Sequence, residues 1–457
     1  MKTSIFVAFF VISTIFINQA FALTTNDTFF DQQVYLDVIR ADVAWEYTTG
    51  SKQTVVAVID TGVDIYHQDL YQNIWLNTGE IAGDNIDNDN NGFIDDVHGW
   101  DFVHDEASPI PKISDEYSRI GLIHGTFVAG IIGAQGNNDM GIAGLNWQVS
   151  IMPLIALDGA GSGGLDKVIE AIYYAIDNGA DVINLSLVGS ITDEYLEEAL
   201  KQAYESGVVV VAAVGNENVE TFNEDAGVDL TINPRYPVCH DGTGNYVIGV
   251  GSIDHLYRKS LFSNFGDDCI DINVPGEEYI GLSYYQPVFS NYRNKYESYW
   301  SGTSLATAVV SGAAALVKSY YPSISNEDLY SLIIDSGDSI DEYNPEYQNK
   351  LGGGVLNLKN IFANISDYIS YQDSLFTINH NGDTLVVNVY DWPGKLTNEV
   401  TIEGENMESF EIVSINNQPL ISIYGSNGAI HQVKNYDLSA KVVSEFTFES
   451  TSSDVKI

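Results

Sequence analysis

Basic residues are scarce in this 457-residue chain, which has 19 lysines and arginines against 63 aspartates and glutamates. The formal net charge is -44. Such a surface repels phosphate backbones and anionic headgroups, so the composition argues against nucleic acid and an anionic membrane as partners. The same surface is suited to binding cations and to a highly solvated exterior. No substrate class follows from the charge.

Cysteine is nearly absent, since Cys239 and Cys269 are the only two in the chain. Neither lies in a turn typical of a nucleophile, which argues against a cysteine-dependent reaction. If the protein is exported, we expect the pair to form a disulfide bond rather than two free thiols.

Long apolar runs are missing beyond the N-terminus. There, Lys2 precedes an apolar run at residues 5–17, and Ala20 and Ala22 form a small-x-small cleavage motif. The run is short for a membrane span, although an N-terminal anchor is the alternative. We therefore predict a signal peptide at residues 1–22 and a secreted chain with no membrane span, which we expect to be a monomer.

Five continuous apolar segments are typical of strands buried in a parallel sheet. They lie at residues 54–59, 151–156, 181–187, 208–214 and 246–252. Residues 165–178 and 194–205 between them have helical periodicity, and residues 34–47 predict an amphipathic helix before the first strand. This alternation predicts a doubly wound, mostly parallel α/β domain, in which active groups collect at the carboxyl ends of the strands.

After residue 364 the pattern changes to alternating apolar and polar residues, separated by turns rich in asparagine and glycine. Residues 384–390 and 409–415 are examples. We predict an α/β domain at residues 23–364 and a small all-β, sandwich-like domain at residues 365–457. The second domain could stabilise the first, bind a substrate or surface, or act as a spacer.

Four residues in separate segments are suited to nucleophilic catalysis. Asp60 ends the first predicted strand, while His124 and Ser304 each stand at the predicted start of a helix rich in small residues. An imidazole can take the proton of a hydroxyl, and a buried carboxylate can fix the tautomer of that imidazole. Asn216, at the end of a strand, could donate an amide N–H to a developing oxyanion. Taken singly, the histidine and serine segments also fit ordinary helix caps.

The same four segments resemble motifs of the subtilisin-like serine proteases, or subtilases. They read VAVIDTGVD around Asp60, HGTFVAG around His124, VAAVGNE around Asn216 and SGTSLATA around Ser304. The resemblance covers about residues 34–363 and implies a serine endopeptidase acting on proteins or peptides. It makes Asp60 the orienting acid, His124 the general base, Ser304 the nucleophile and Asn216 an oxyanion donor. The alternative is a catalytically silent subtilase fold that serves as a calcium-dependent binding module.

The resemblance also implies a set of substrate-binding residues. They are Gly161, Ser162 and Gly163 for the substrate backbone, and Ser186, Leu187, Val188, Ala213 and Gly215 for the side chain before the scissile bond. The chain departs from the family at Leu305, where methionine is usual, and at Ala308, where proline is usual. Val188 stands where glycine is common, and we expect its branched side chain to narrow the cleft.

An acidic stretch at residues 83–101 predicts a calcium site. Carboxylates and amides recur around Gly92 at Asp87, Asp89, Asn91, Asp95 and Asp96. Alternating oxygen ligands around a glycine turn can wrap Ca²⁺, as in the first half of an EF-hand loop. A hydrated acidic loop is the alternative. The family resemblance implies a second structural calcium site that includes Asp69 and Asn138.

Overall fold

A computed structural model describes residues 23–217, 227–239 and 246–370. Beyond them it describes the backbone of residues 375–381, 384–390, 396–403, 407–415, 418–427, 430–436 and 442–449. The signal peptide predicted at residues 1–22 lies outside the described residues. Within the described chain, no helix combines the length and apolarity that crossing a bilayer requires.

Seven parallel strands form the central sheet, in the order β2-β3-β1-β4-β5-β6-β7. They are Gly50–Asp60 (β1), Trp100–Asp101 (β2), Gln148–Ile155 (β3), Val182–Leu185 (β4), Val209–Ala213 (β5), Val247–Ile253 (β6) and Ile272–Pro275 (β7). The five strands predicted from apolar runs are β1 and β3 to β6. The two that were missed, β2 and β7, are short edge strands. The doubly wound α/β prediction is confirmed.

Helices cover both faces of this sheet. They are Val34–Val38 (α1), Ala41–Ala44 (α2), Arg119–Gly133 (α3), Leu165–Asp177 (α4), Glu194–Glu205 (α5), Thr303–Tyr320 (α6), Asn326–Asp335 (α7) and Leu358–Ser370 (α8). Because successive side chains of a strand point to opposite faces, β1 contributes to two cores. Val56 and Val58 join the core of α3 and α6, and Ala57 and Ile59 join that of α4 and α5.

The single helix predicted at residues 34–47 is wrong, because the segment forms α1 and α2. Between them, Arg40 has a left-handed backbone with φ of 61°. The carbonyl of Ile39 accepts a hydrogen bond from the backbone N–H of Leu358 at 2.9 Å, at the start of α8. That tertiary contact occupies a carbonyl that a continuous helix would use.

A hairpin of Tyr279–Leu282 (β8) and Tyr296–Trp300 (β9) packs on α3. The rings of Phe127 and Trp300 stack with centroids 4.8 Å apart. A Cβ at Gly130 would lie 2.5 Å from Cγ of Leu282, so glycine allows this close contact. The chain enters α6 shortly after β9. The hairpin therefore packs on α3 and leads directly into α6.

The C-terminal residues form two antiparallel sheets. One contains Leu375–Asn381 (β10), Thr384–Tyr390 (β11) and Leu396–Glu403 (β12). The other contains Met407–Ile415 (β13), Gln418–Asn427 (β14), Ile430–Tyr436 (β15) and Val442–Glu449 (β16). Helix α8 runs through the predicted boundary at residues 364 and 365. The division into two domains stays a prediction.

Candidate active site

Asp60 is the last residue of β1, and its carboxylate is buried. It accepts hydrogen bonds from the backbone N–H of Thr61 at 2.7 Å and from the Thr61 hydroxyl at 3.2 Å. Nδ1 of His124 lies 2.9 Å from each of its oxygens. Because an ionised carboxylate only accepts, Nδ1 carries the proton, and Nε2 of the neutral imidazole is the acceptor.

Two opposing effects set the pKa of His124. Burial lowers the pKa of the imidazole, whereas the charge of Asp60 and the hydrogen bond to it raise that pKa. The net pKa lies above the ordinary value for histidine. The carboxylate therefore favours the protonated ring, which is the form that a general base adopts after it has taken a proton.

The prediction that a helix starts at His124 is wrong, since α3 begins at Arg119. The hydroxyl of Ser118 caps this helix by accepting from the backbone N–H of Gly121 at 2.9 Å. His124 therefore lies in the second turn. A serine at an N-cap is a sequence feature that could have located the true start.

Gly125 lets α3 approach the end of β1. A Cβ on this residue would lie 2.3 Å from the carbonyl oxygen of Gly62 and 3.1 Å from Oδ1 of Asp60. Any larger side chain would push the helix, and His124 with it, away from Asp60. The close approach of α3 to β1 therefore requires a glycine at position 125.

Ser304 is the second residue of α6, which Gly302 precedes as the N-cap. Its backbone carbonyl accepts from the Ser186 hydroxyl at 2.8 Å, and its own hydroxyl donates to the Ser186 carbonyl at 3.2 Å. Asn184 supports the arrangement by donating from Nδ2 to the Ser186 hydroxyl at 3.0 Å. Ser186, predicted as a substrate residue, thus also holds the start of α6.

The orientation of the Asn216 amide follows from its contacts with Thr303. Oδ1 of Asn216 accepts from the backbone N–H of Thr303 at 2.8 Å and from its hydroxyl at 2.9 Å. A backbone N–H can only donate, so the atom facing it must be the amide oxygen. Nδ2 is consequently on the other side, near Gly302, whose Cβ position is 3.3 Å away. The N–H donors therefore lie beside Gly302, two residues before Ser304.

A cleft of about 610 Å³ lies next to His124. Its lining includes the predicted residues Gly161, Ser162, Gly163, Ser186, Leu187 and Val188, together with the apolar Ile120, Leu157, Leu165, Val168, Ile191 and Leu196. Ala213 and Gly215 do not line it. Gly215 is nevertheless close to Val188, whose Cγ2 would be 3.4 Å from a Cβ on the glycine.

The acidic loop brings together only part of the predicted ligand set. Carboxylate oxygens of Asp87 and Asp89 cluster with one of Glu80, all within 4.8 Å of one another. Asn91 is adjacent, because its Nδ2 donates to Asp89 at 3.3 Å. Glu80 was missed because it precedes the alternating pattern. The three neighbouring carboxylates match the oxygen donors that Ca²⁺ prefers.

Two other acids of this loop accept hydrogen bonds within the protein, Asp95 from backbone groups and Asp96 from side chains. Asp95 accepts from the backbone N–H groups of Gly83, Asp84 and Asn85 at 2.7 to 3.2 Å. Asp96 is fully buried and accepts from Nδ2 of Asn91 at 2.9 Å. It also accepts from Nδ2 of Asn77 and the hydroxyl of Tyr174.

Asp69 and Asn138 lie together, with Nδ2 of Asn138 2.7 Å from Oδ1 of Asp69. Burial raises the pKa of Asp69 to about 6, despite the hydrogen bonds that it accepts. Asp27, which sequence reasoning missed, accepts from the backbone N–H groups of Asn137 and Asn138 at 2.7 and 3.2 Å. The carboxylates of Asp27 and Asp69, on either side of this loop, are oxygen donors that suit a hard cation such as Ca²⁺.

Cys239 and Cys269 form a disulfide bond with their Cα atoms 4.8 Å apart. Cys239 follows shortly after Tyr236 and Pro237, which line the cleft, and Cys269 precedes β7. The bond ties one wall of the cleft to the far edge of the central sheet.

Comparisons with known proteins agree with this geometry. A model of the subtilase family matches residues 51–359. A thermophilic serine proteinase of Bacillus sp. (strain AK1) is 36% identical over 299 residues, which are 65% of this chain and 60% of that protein. Thermitase of Thermoactinomyces vulgaris is 34% identical over 304 residues, which are 66% of this chain and 88% of that protein. This chain therefore matches less than two thirds of the Bacillus proteinase.

A solved structure is also similar. It is described as proteases from Pseudoalteromonas arctica PAMC 21717, and it aligns with a TM-score of 0.56 at 25% identity. The alignment covers 75% of this chain and 99% of that chain.

Asp60→Asn should lower the pKa of His124. The change keeps the size of the side chain but removes the charge that raises this pKa, while the burial that lowers it remains. A raised folded-state pKa stabilises the fold below the unfolded-state pKa, and this contribution is lost as pH rises through the folded-state value. NMR titration of the histidine ring checks both the native value and the shift.

Asp101→Asn is the matched control, because Asp101 lies 2.8 Å from Nδ1 of a different histidine, His104. It should leave the His124 titration unchanged. If His124 titrates identically in native protein and in Asp60→Asn, the pairing does not exist in solution.

Proposed function

We propose that this chain, which belongs to the subtilase family of serine-type endopeptidases, is a secreted, calcium-stabilised endopeptidase that acts through Asp60, His124 and Ser304. The observation that carries the proposal is the contact between the buried Asp60 and Nδ1 of His124 at 2.9 Å, at the wall of a substrate-sized cleft. This contact leaves Nε2 as a proton acceptor.

In the proposed reaction, Oγ of Ser304 attacks the substrate carbonyl carbon while Nε2 of His124 takes the proton of the serine hydroxyl. Asp60 stabilises the resulting imidazolium. The protonated ring then gives its proton to the leaving amine, and water hydrolyses the acyl-enzyme by the same steps. Before attack, the Ser304 hydroxyl exchanges its bond to the Ser186 carbonyl for one to the imidazole.

The proposed oxyanion site consists of Nδ2 of Asn216 and the backbone N–H of Ser304. The first N–H groups of a helix have no partner within that helix, so the start of α6 is suited to a developing negative charge. Thr303 supports this role, because it fixes the amide oxygen of Asn216 and leaves the N–H groups for the substrate.

The cleft supports protein or peptide substrates. Gly161, Ser162 and Gly163 can pair with an extended substrate backbone as an added strand. The apolar side chains that line the rest of the cleft favour apolar substrate side chains. Val188, which is 37% exposed, restricts the space next to Gly215.

Calcium is proposed at two places. One site uses Asp69, Asn138 and Asp27, and the other uses Asp87 and Asp89 with Glu80 and Asn91. Bound Ca²⁺ would neutralise carboxylates that cluster in a strongly acidic chain. We also propose secretion and a monomeric state, and a catalytic domain that extends through α8, with the β domain after residue 370.

Ser304→Ala should abolish peptidase activity and covalent labelling by a fluorophosphonate probe, while the melting temperature stays near that of native protein. The alanine fits the same space, and only the nucleophile is lost. Ser301→Ala, a nearby change outside the proposed chemistry, is the control and should label normally. A catalytically silent binding module would instead leave the native protein unlabelled.

Asn216→Asp isolates the amide donor from the structural role of the side chain. The aspartate keeps an oxygen for both Thr303 donors but presents an acceptor where Nδ2 donated. We expect kcat to fall by about 100-fold or more, with little change in KM. Steady-state kinetics with active-site titration measures both. An unchanged kcat would remove Asn216 from the oxyanion site.

Chelation with EDTA should lower the melting temperature, because ions that bind only the folded state stabilise it, by about 2.7 kcal/mol at 100 times Kd. Asp69→Asn, and separately Glu80→Gln with Asp87→Asn, should each reduce this response. Glu205→Gln, on the exposed surface of α5, is the control. If chelation leaves the melting temperature of native protein unchanged, neither site binds calcium.

A further inference from the structure

Tyr296, the first residue of β9, lies against the loop that carries the proposed metal ligand Asn138. Its hydroxyl is 3.4 Å from Oδ2 of Asp69 and accepts from Nε2 of Gln68 at 3.3 Å. A Cβ on Gly141 would be 2.3 Å from Cε1 and from the hydroxyl of Tyr296. The ring therefore packs directly on the backbone of the loop at residues 138–142, which we call the metal loop.

Two further aromatic contacts hold the ring in place. Phe29 lies edge-on to Tyr296 with ring centroids 5.2 Å apart, and the ring of His67 is 5.6 Å away. The backbone N–H of Phe29 donates to the carbonyl of Gly141 at 2.7 Å. Tyr296 thus contacts the three segments that supply the proposed ligands Asp27, Asp69 and Asn138.

The residue before Tyr296 is attached to the same region. The carbonyl of Lys295 contacts Nε2 of His67 at 2.9 Å, and its ammonium donates to Oε1 of Gln68. The start of β9 is therefore held by residues 67–69 through both backbone and side chain. A displacement of residues 67–69, which include the proposed ligand Asp69, would displace the start of this strand.

The other end of β9 reaches the catalytic residues. The ring of Trp300 stacks on Phe127, which is on α3 three residues after His124. Gly302 lies two residues before Ser304. Its backbone N–H donates to the carbonyl of Gly276 at 2.8 Å. Because packed interiors transmit displacements, a shift of β9 would reach α3, which carries His124, and the turn that precedes Ser304.

We propose that Tyr296 is a positioning residue, through which occupation of the Asp69 site sets the geometry of His124 and Ser304. The inference rests on the proposed function, in which Asp69 and Asn138 bind calcium and Ser304 is the nucleophile. Bound Ca²⁺ would hold the Asp69 carboxylate and the loop at residues 138–142, the two features that Tyr296 contacts. Calcium then controls the reactivity of Ser304 as well as the stability of the fold.

The test compares Tyr296→Phe and Tyr296→Leu with Tyr299→Phe. Tyr299 belongs to the same strand but is 83% exposed, so its variant loses the same hydroxyl without touching the metal loop. Calorimetry with CaCl₂ measures binding in a Ser304→Ala background, and Asp69→Asn identifies which binding event belongs to this site. Fluorophosphonate labelling rates and melting temperatures are measured with and without calcium in the otherwise native chain.

In native protein and in Tyr299→Phe, calcium should raise the labelling rate by about fivefold or more, which is the lower end of typical coupling between sites. Tyr296→Phe should still bind calcium and still gain in melting temperature, but its labelling rate should rise by less than about twofold. If only Tyr296→Leu loses this response while binding calcium, the ring rather than the hydroxyl is the positioning group. A purely structural role for Tyr296 would lower the melting temperature and leave the calcium response of the labelling rate intact.

The coupling is overturned if Tyr296→Phe and Tyr296→Leu both keep the calcium response of Tyr299→Phe. If Tyr296→Leu binds no calcium, the calcium response of the labelling rate of Tyr296→Phe decides the question by itself. The coupling is also overturned if native protein binds calcium at this site and labels at the same rate with and without it. By contrast, native protein that does not label, or that binds no calcium at Asp69, overturns the proposed function and this inference with it.

Discussion

The burial of helix α6 is the constraint on which the proposed site depends. Residues 305–317 of this helix are all buried, and the helix packs on the sheet through a run of alanine, valine and glycine. A Cβ on Gly312 would lie 3.2 Å from Leu145, so larger residues would separate the helix from its neighbours. Ser304 stands in the first turn of this element. The backbone of this turn is therefore held by the packing of the helix in the main hydrophobic core.

Around this core, the carboxylates that the protein buries need hydrogen-bond donors. Asp60 is paired with an imidazole, Asp69 with an amide and a tyrosine hydroxyl, and Asp96 with two amides and Tyr174. These donors are neutral side chains or a histidine, in keeping with a chain that has few lysines and arginines. A carboxylate buried among neutral donors keeps an unbalanced charge, which a metal ion can balance.

The hairpin of β8 and β9 connects these two features of the molecule. One end contacts the loop of the proposed metal site through Tyr296, and the other packs against α3 through Trp300. A contact between the loop of the proposed metal site and α3, which carries the proposed general base His124, can affect stability and reactivity together. The two effects can be distinguished, because the labelling rate reports on the reactivity of Ser304 and the melting temperature reports on the stability of the fold.

The sequence by itself determined the α/β architecture, since five apolar runs identified the strands of the central sheet. It also predicted Asp60, His124, Asn216 and Ser304 as site residues, because these residues stand in short motifs at the ends of strands and in helices rich in small residues. Tertiary structure decided which atoms face one another. The amide of Asn216 is oriented by Thr303, Asp27 accepts from the distant backbone of Asn137, and Glu80 clusters with Asp87 and Asp89. Periodicity reports burial along one segment, whereas these contacts depend on how distant segments pack, which no local pattern encodes.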